Sequence, residues 1–370
     1  IVALDPRDGA IRALASAPTF KPSVFVGRVD PEKLDALYSD ASNPLFNRAI
    51  AGLYPPGSTW KPVTAIAGMQ EHVFSPYESL QCTPSAAYGL DRQVFRNWNP
   101  FVNRPMTLPE ALAESCDTYF YDVADHLGID RMHEFLTGFG LGGETGIDIA
   151  GERSGLVPSK AWKKGAFKRR DLQTWFPGET VIAGIGQGYM LATPLQLAQM
   201  AATIATRGKR YSPRLVKRIR NVSTGETREL PPEPLSSIEV KDPAHWDVII
   251  GGMIGVTNDP TGTARRSQAG APYKIAGKTG TAQVFSVGQH EQYKESEVEE
   301  RLRDHALFVA FAPAEAPKLA VAVLVENGRS GSGTAAPIAR AVFDAYLLPP
   351  EEVRKEEAAT IPAPAAGGEE

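Results

Sequence analysis

The stretch Gly57-Ser58-Thr59-Trp60-Lys61 lies between the turn signal Pro55-Pro56-Gly57 and an apolar run that begins at Pro62. This pattern predicts a loop that enters a helix, with Ser58 at or near the N-cap. Residues three apart lie about one helical turn apart, so Ser58 and Lys61 are expected to face the same way. A serine hydroxyl becomes a nucleophile when a neighbouring base removes its proton, and a neutral lysine amine can act as that base. The spacing therefore favours a serine–lysine pair.

An N-capping serine followed by an exposed lysine is the ordinary alternative, because a chain of this length contains roughly one S-x-x-K by chance. Two further motifs follow this stretch in the sequence. Ser115-Cys116-Asp117 lies downstream, and Lys278-Thr279-Gly280 lies far beyond it. All three motifs in one chain favour a catalytic site over a chance match.

The composition is that of a globular protein. The chain has 370 residues, of which 42% are hydrophobic and 22% are charged, which allows a large core and one or two domains. The formal net charge of -4 argues against a nucleic-acid-binding protein. Two cysteines are too few for a disulfide scaffold and match no metal-finger spacing. No apolar run approaches about 18 residues, and residue 1 opens directly into a strand-like segment. We therefore expect the chain to be a fragment of a longer protein.

Strand patterns lie at both ends of the chain and helical patterns lie in the middle. Residues 1–4 and 11–15 predict a hairpin, and residues 272–276 predict a strand that leads into Lys278. Residues 306–311 and 319–325 predict two buried strands. Helices are predicted over residues 58–71, 108–114 with continuation through 115–124, 129–139, 194–206, 245–257 and 335–348.

This order predicts an α+β fold, in which the hairpin and the last three strands form an antiparallel sheet with a helical region inserted. One domain is expected over residues 1–348, with a sheet region at about 1–57 and 240–348 and a helical region at about 58–239. Residues 349–370 are rich in Pro, Ala and Glu and predict a disordered tail. Ser58 is expected where the two regions meet, beside an edge strand formed by 278–281.

These motifs resemble the transpeptidase domain of class B penicillin-binding proteins, most closely the branch that acts in the elongation of rod-shaped cells. The resemblance covers residues 1 to about 348 and is carried by 54–62, 115–117, 184–189, 192–196, 276–283, 301–305 and 308–313. It implies a serine transpeptidase fold without a cofactor. It also implies a membrane anchor and a pedestal domain outside this fragment, and a location at the periplasmic face of the bacterial inner membrane.

The resemblance assigns a reaction to the first two motifs. Ser58 would attack the carbonyl between two D-alanines of a peptidoglycan stem peptide, and Lys61 would accept its proton. Ser115, with Asp117 beside it, would relay a proton toward the leaving amine. The amine of a second stem peptide would then take the acyl group and form a cross-link. β-Lactams would acylate the same serine.

The third motif would bind the substrate. Lys278, Thr279, Gly280 and Thr281 would receive its terminal carboxylate, and the backbone N–H groups of Ser58 and Thr281 would form the oxyanion hole. The implied partners are stem peptides and β-lactams, together with a membrane glycan polymerase and rod-complex proteins that would contact the part of the protein outside this fragment. No nucleic acid is expected.

One residue departs from the family pattern. The family at large has Asn where this chain has Asp117. A carboxylate near Lys61 and Lys278 is expected to raise the pKa of both amines, which works against a neutral Lys61.

Other functions share these motifs. A serine β-lactamase also needs a base for fast deacylation, and the nearby candidates, Glu114 and Glu179, lie in no motif typical of that base. A D,D-carboxypeptidase differs only in using water as the acceptor. A β-lactam sensor or a scaffold is the non-enzymatic alternative, and the intact Lys61 and Lys278-Thr279-Gly280 argue against a pure scaffold.

The resemblance also bears on the two cysteines. Relatives in this family can carry a zinc site beside the active site, built from acidic, His and Cys ligands. The equivalent positions here are Cys82, Asn97, Asn103 and Cys116. Asparagine is a poor zinc ligand, so no metal site is expected. In an oxidising periplasm the cysteines would form a disulfide that stabilises by roughly 3–4 kcal/mol. Two buried free thiols are the alternative.

Overall fold

The computed structural model describes residues 1–89, 92–283 and 299–350. Of the predicted tail, residues 351–370 lie outside this range. The described strands are β1 (Val2–Leu4), β2 (Ile11–Leu14), β3 (Leu80–Cys82), β4 (Ser85–Tyr88), β5 (Gln93–Arg96), β6 (Arg104–Met106), β7 (Arg210–Tyr211), β8 (Arg218–Arg220), β9 (Thr227–Glu229), β10 (Pro234–Leu235), β11 (Ala276–Ala282), β12 (His305–Ala312) and β13 (Leu319–Val325).

The described α-helices are α1 (Pro31–Ser39), α2 (Arg48–Ala51), α3 (Lys61–Gln70), α4 (Leu108–Ala113), α5 (Asp117–Leu127), α6 (Ile129–Gly138), α7 (Lys160–Ala166), α8 (Pro177–Ala183), α9 (Pro194–Ala205), α10 (Ala244–Asn258), α11 (Arg265–Gln268) and α12 (Ala336–Leu347). Short 3-10 turns lie at Pro22–Phe25, Gly57–Trp60, Arg170–Leu172 and Glu300–Leu302, and a π-helical turn at Gly331–Ala335 precedes α12. Across the described residues, we find no helix with the length and apolar character needed to span a bilayer.

Five strands form the main antiparallel sheet in the order β11-β12-β13-β1-β2. This arrangement confirms the predicted sheet of a first hairpin and three late strands, and it places β11 at the edge. The third motif lies inside β11, where Lys278 is paired with Val309 and Thr281 with Ala306. The strand predicted at 272–276 begins only at Ala276, so the prediction was displaced toward the N-terminus.

Strands β12 and β13 are buried on both faces because helices cover each side of the sheet. Leu307, Val309 and Phe311 face the larger core, which includes residues of α3 and α9. The alternate residues Phe308 and Ala310 face a second core that includes Phe343 of α12. A strand covered on both sides has an unbroken apolar sequence, as residues 306–312 do.

Helix α3 is central to the helical region and is buried along almost its whole length, from Lys61 to Met69. The predicted helix over 58–71 is confirmed, except at its start. Ser58 lies inside the Gly57–Trp60 turn and does not cap the helix, because its carbonyl accepts a hydrogen bond from the Lys61 N–H. The chain tightens into a 3-10 turn here, in which residues three apart lie above one another.

One predicted helix, over residues 108–124, is divided into two helices in the structure. Helix α4 ends at Ala113, and α5 begins at Asp117 with Cys116 as its N-cap. Ser115 between them has φ +57°, a left-handed conformation that a helix does not contain. The apolar pattern runs through both helices and therefore conceals the break.

Candidate active site

A cleft of about 470 Å³ lies between the edge strand β11 and the helical region. Residues of all three sequence motifs line it, together with residues from other parts of the chain. The full lining consists of Ser58, Arg96, Asn97, Trp98, Ser115, Asp117, Tyr121, Ile182, Ile185, Gln187, Thr263, Thr279, Gly280, Thr281, Gln283, Asp304, Ser330, Gly331 and Ser332.

The Gly57–Trp60 turn presents Ser58 to this cleft. The Gly57 N–H donates to the Gly186 carbonyl at 2.9 Å, and the Thr59 hydroxyl donates to the Pro56 carbonyl at 2.7 Å. The turn packs directly on β11, because a Cβ placed on Gly280 would lie 2.7 Å from the Thr59 side chain. Ser58 is thereby fixed against the edge strand that carries the third motif.

Lys61 lies one turn beyond Ser58 and is fully buried. Its Nζ donates to Asp117 Oδ1 at 2.6 Å, to the Ser115 carbonyl at 2.8 Å and to Ser115 Oγ at 3.2 Å. Burial lowers the pKa of the Lys61 amine below its ordinary value, and the charge and hydrogen bond of Asp117 raise it by less. The expected effect of Asp117 is therefore present, and the larger effect of desolvation outweighs it.

Ser115 Oγ lies between two lysines. Besides Lys61, it accepts a hydrogen bond from the Nζ of Lys278 at 2.8 Å. Lys278 is also fully buried, and burial together with the positive charge of Lys61 lowers its pKa well below the ordinary value, against the opposite effect of Asp117. For Lys278 too, the expected effect of Asp117 is present, and burial and the Lys61 charge together outweigh it. The site thus favours a state in which at least one of the two amines beside the Ser115 hydroxyl is neutral.

The outer part of β11 faces the cleft with hydroxyl groups. Thr279 Oγ1 lies 2.8 Å from Thr263 Oγ1, and the Gln187 side chain donates to the Thr281 carbonyl at 3.1 Å. Thr281 is exposed, whereas Lys278 is fully buried and does not line the cleft. Thr279 and Thr281 thus line the cleft, whereas the Lys278 amine contacts Ser115.

Asn97 and Trp98 follow β5 and contact the Ser115–Asp117 turn. The Asp117 N–H donates to Asn97 Oδ1 at 3.0 Å, and the Trp98 N–H donates to Asp117 Oδ2 at 2.8 Å. The sequence indicated no role for Thr263 and Trp98, and it indicated Gln187 and Asn97 without their contacts to Thr281 and Asp117. Tertiary packing brings all four residues to the site.

Cys82 and Cys116 are joined by a disulfide in this structure, and both are buried. Its presence in the purified protein stays a prediction, which thiol counting tests below. The arrangement does not fit a zinc ion, because the two sulfurs bond to each other and Asn97 donates its amide N–H toward Cys82 Sγ at 3.4 Å.

An antiparallel sheet whose edge strand lies beside a serine–lysine pair defines the class of active-site-serine proteins that includes β-lactamases and penicillin-binding proteins. Residues 1–344 match the model of the penicillin binding protein transpeptidase domain. The chain belongs to this family of transpeptidase domains.

Relatives with known names agree with this membership. The chain is 39% identical over 349 residues to the peptidoglycan D,D-transpeptidase MrdA of Haemophilus influenzae, which covers 94% of this chain and 52% of that protein. It therefore spans about half the length of the curated relatives that it matches.

Solved structures of similar proteins share the fold. The structure of Pseudomonas aeruginosa PBP2 in complex with WCK 5153 has a TM-score of 0.84 and 43% identity, covering 95% of this chain and 71% of that chain. PBP2 of Helicobacter pylori in complex with MreC has a TM-score of 0.79 and 29% identity, covering 97% of this chain and 60% of that chain.

Proposed function

We propose that this chain is the transpeptidase domain of a peptidoglycan D,D-transpeptidase that forms cross-links through an acyl-enzyme on Ser58 during cell elongation. The observation that carries this proposal is the Ser115 hydroxyl, which accepts hydrogen bonds from Lys61 and Lys278 beside the Ser58 turn. A scaffold does not require two buried amines that contact one hydroxyl. Proton transfer from the nucleophilic serine to a leaving amine does require groups that relay the proton, and the two amines and the hydroxyl can serve in that role.

Acylation begins with a neutral Lys61. All three hydrogen bonds of its amine go to Ser115 and Asp117, so loss of one proton frees a lone pair for the Ser58 hydroxyl. Ser58 Oγ then bonds to the carbonyl carbon of the penultimate D-alanine. The backbone N–H groups of Ser58 and Thr281 stabilise the oxyanion, each by about 3 kcal/mol in comparable sites.

The carbon–nitrogen bond to the terminal D-alanine breaks next. Its amine takes a proton through the Ser115 hydroxyl, which is in contact with the protonated Lys61. The amine of a second stem peptide then attacks the acyl-enzyme, returns its proton along the same path and releases Ser58. Water in place of this amine gives the D,D-carboxypeptidase reaction, and the two are distinguished by supplying a D-amino acid as an acceptor and measuring its incorporation.

The two glutamates considered for a β-lactamase are engaged elsewhere. Glu114 is paired with Arg104 at 2.6 Å, and Glu179 is paired with Lys163 and accepts from the Phe176 N–H. Neither lines the cleft. An acyl group on Ser58 therefore has no hydrolytic base from these two residues, which favours a stable acyl-enzyme.

The proposal includes the partners and location of the whole protein. Stem peptides and β-lactams would bind at the Ser58 cleft, at the periplasmic face of the bacterial inner membrane. PBP2 of Helicobacter pylori forms a complex with MreC. By analogy, rod-complex proteins and a membrane glycan polymerase would contact the longer protein to which this domain belongs.

Benzylpenicillin is expected to form a long-lived covalent adduct on Ser58, because the relay supports acylation and neither glutamate supports hydrolysis. Intact-protein mass spectrometry should show one added penicillin per chain, and peptide mapping should locate it at Ser58. The Ser58→Ala variant should remain unmodified. An adduct that clears within seconds would point to a β-lactamase, and the absence of an adduct on folded protein would overturn both enzymatic functions.

The acylation rate is expected to rise with pH as Lys61 loses its proton. Asp117 raises the pKa of Lys61, so its removal in Asp117→Asn should shift the midpoint of this rise to lower pH. Stopped-flow measurement with a fluorescent penicillin across pH tests the direction of the shift. Asp122→Asn is the matched control, because Asp122 lies on the same helix and bonds to Tyr88 instead. A midpoint that stays in place or moves to higher pH would refute Lys61 as the base.

A further inference from the structure

Asn97 and Trp98, here called the 97–98 clamp, hold the Ser115–Asp117 turn at several points. Besides the two contacts with Asp117 described above, the Trp98 indole N–H donates to the Glu114 carbonyl at 3.0 Å. The clamp itself is held by the Asn97 N–H, which donates to the Pro84 carbonyl at 2.8 Å. Asp117 is thus bound through both its backbone N–H and its carboxylate.

The disulfide connects to the same residues from behind. The Asn97 amide donates to Cys82 Sγ at 3.4 Å and lies 3.9 Å from Cys116 Sγ. Cys116 is the N-cap of α5, where its sulfur accepts from the Tyr119 N–H at 3.4 Å. One amide side chain therefore contacts the disulfide with its nitrogen and Asp117 with its oxygen.

We propose that Asn97 is a positioning residue that makes the acylation of Ser58 depend on the Cys82–Cys116 disulfide. The bond holds Asn97 and the start of α5 in place, and Asn97 in turn holds Asp117 against Lys61. This inference rests on the proposed function, because it concerns the rate of that acylation.

Reduction would disturb this arrangement by steric displacement. Two thiols cannot approach each other as closely as two bonded sulfurs, and both cysteines are fully enclosed. One of them must move when the bond breaks. Cys82 carries β3 with it, whereas Cys116 carries the N-cap of α5 and the adjacent Ser115 and Asp117. Either movement changes the contacts of the Asn97 amide.

The chain allows a clean experiment, because it contains only two cysteines. Because the bond is fully enclosed, the protein is first unfolded in denaturant. Dithiothreitol then donates two electrons, the S–S bond breaks into two thiols, and the reagent becomes its cyclic disulfide. The protein is refolded afterwards, and the oxidised sample is unfolded and refolded in the same way without the reagent. Thiol counting on unfolded protein, before and after this treatment, should give zero and two. Two free thiols before treatment would overturn the proposal.

The test compares oxidised and reduced protein, each as wild type and as Asn97→Ala, after dithiothreitol has been removed. The acylation rate constant and the dissociation constant of the initial complex are measured with a fluorescent penicillin. Reduction of the wild type is expected to slow acylation by about 10- to 100-fold, as a displacement of up to about 1 Å can do. The dissociation constant should change little.

Asn97→Ala should slow acylation of the oxidised protein by a similar factor. Reduction of the Asn97→Ala variant should then slow its acylation only a little further. This non-additivity is expected only if both changes act by one route. Asn103→Ala is the matched control, because Asn103 bonds to Gln81 next to Cys82 without contacting Asp117. The final extent of acylation corrects every rate for the folded fraction.

Two results would overturn the proposal while leaving the proposed function intact. Equal acylation rates for oxidised and reduced wild type would show that the disulfide does not affect the site. An equal loss on reduction in the wild type and in Asn97→Ala would show that the effect does not pass through Asn97. If oxidised wild type is never acylated, the proposed function itself fails.

Discussion

Lys61→Ala is expected to slow the acylation of Ser58 by penicillin by about 10²- to 10⁴-fold, the usual contribution of a general base. The amine is fully buried and bonds to both Ser115 and Asp117, so its loss removes the base that the proposed mechanism uses. Rapid mixing with a fluorescent penicillin measures the rate, and mass spectrometry at long times measures the extent of acylation.

The control for this variant is Lys163→Ala, which also removes a buried lysine from an ion pair, here with Glu179. Both variants leave a carboxylate without its partner and should lose stability for the same reason. Only for Lys61→Ala should the folded fraction be acylated more slowly than the wild type. Acylation of Lys61→Ala at the wild-type rate would show that the proton takes another path.

Lys278 is expected to act at a different step from the one that its motif implies. The motif assigns it to the substrate carboxylate, but its amine is fully buried and bonds to Ser115 Oγ. Its substitution should therefore affect the proton relay as well as the binding of the carboxylate. Thr279, Gly280 and Thr281 of this stretch line the cleft, whereas Lys278 does not.

Much of the fold could be predicted because its strands are unbroken apolar runs and its helices have regular patterns. Residues 306–311 and 319–325 had to be covered on both faces, and the first hairpin could complete the same sheet. The place of the third motif at an edge of the sheet could also be predicted. The order of the strands, β11-β12-β13-β1-β2, was not predicted and comes from the structure.

The remaining features of the fold and of the site depend on tertiary contacts that leave no pattern in the local sequence. The left-handed Ser115 interrupts a helix inside a continuous helical pattern, and Asn97 reaches Asp117 from a strand turn about twenty residues away. The direction of the lysine pKa shifts could not be predicted either. The sequence indicated the charges near Lys61, whereas the extent of its burial was visible only in the folded chain.

The second large effect is expected at Gly57, which precedes the nucleophile. Its φ is +54°, and a Cβ at this position would lie 2.7 Å from the Thr281 carbonyl oxygen. Strand β11 cannot move away from this contact without breaking its pairing with β12, where Thr281 lies opposite Ala306. An alanine must therefore displace the Gly57–Trp60 turn, and with it the Ser58 N–H and Oγ.

Gly57→Ala is expected to slow acylation by about 100-fold, because a displacement of about 1 Å would separate the two N–H groups proposed to bind the oxyanion. The left-handed conformation itself costs an alanine roughly 1–2 kcal/mol of stability. Gly225→Ala separates these effects, since Gly225 has φ +75° but open space around its Cβ position. That control should lose stability and acylate normally. Gly57→Ala acylating at close to the wild-type rate would show that the N–H groups of Ser58 and Thr281 are not the oxyanion hole.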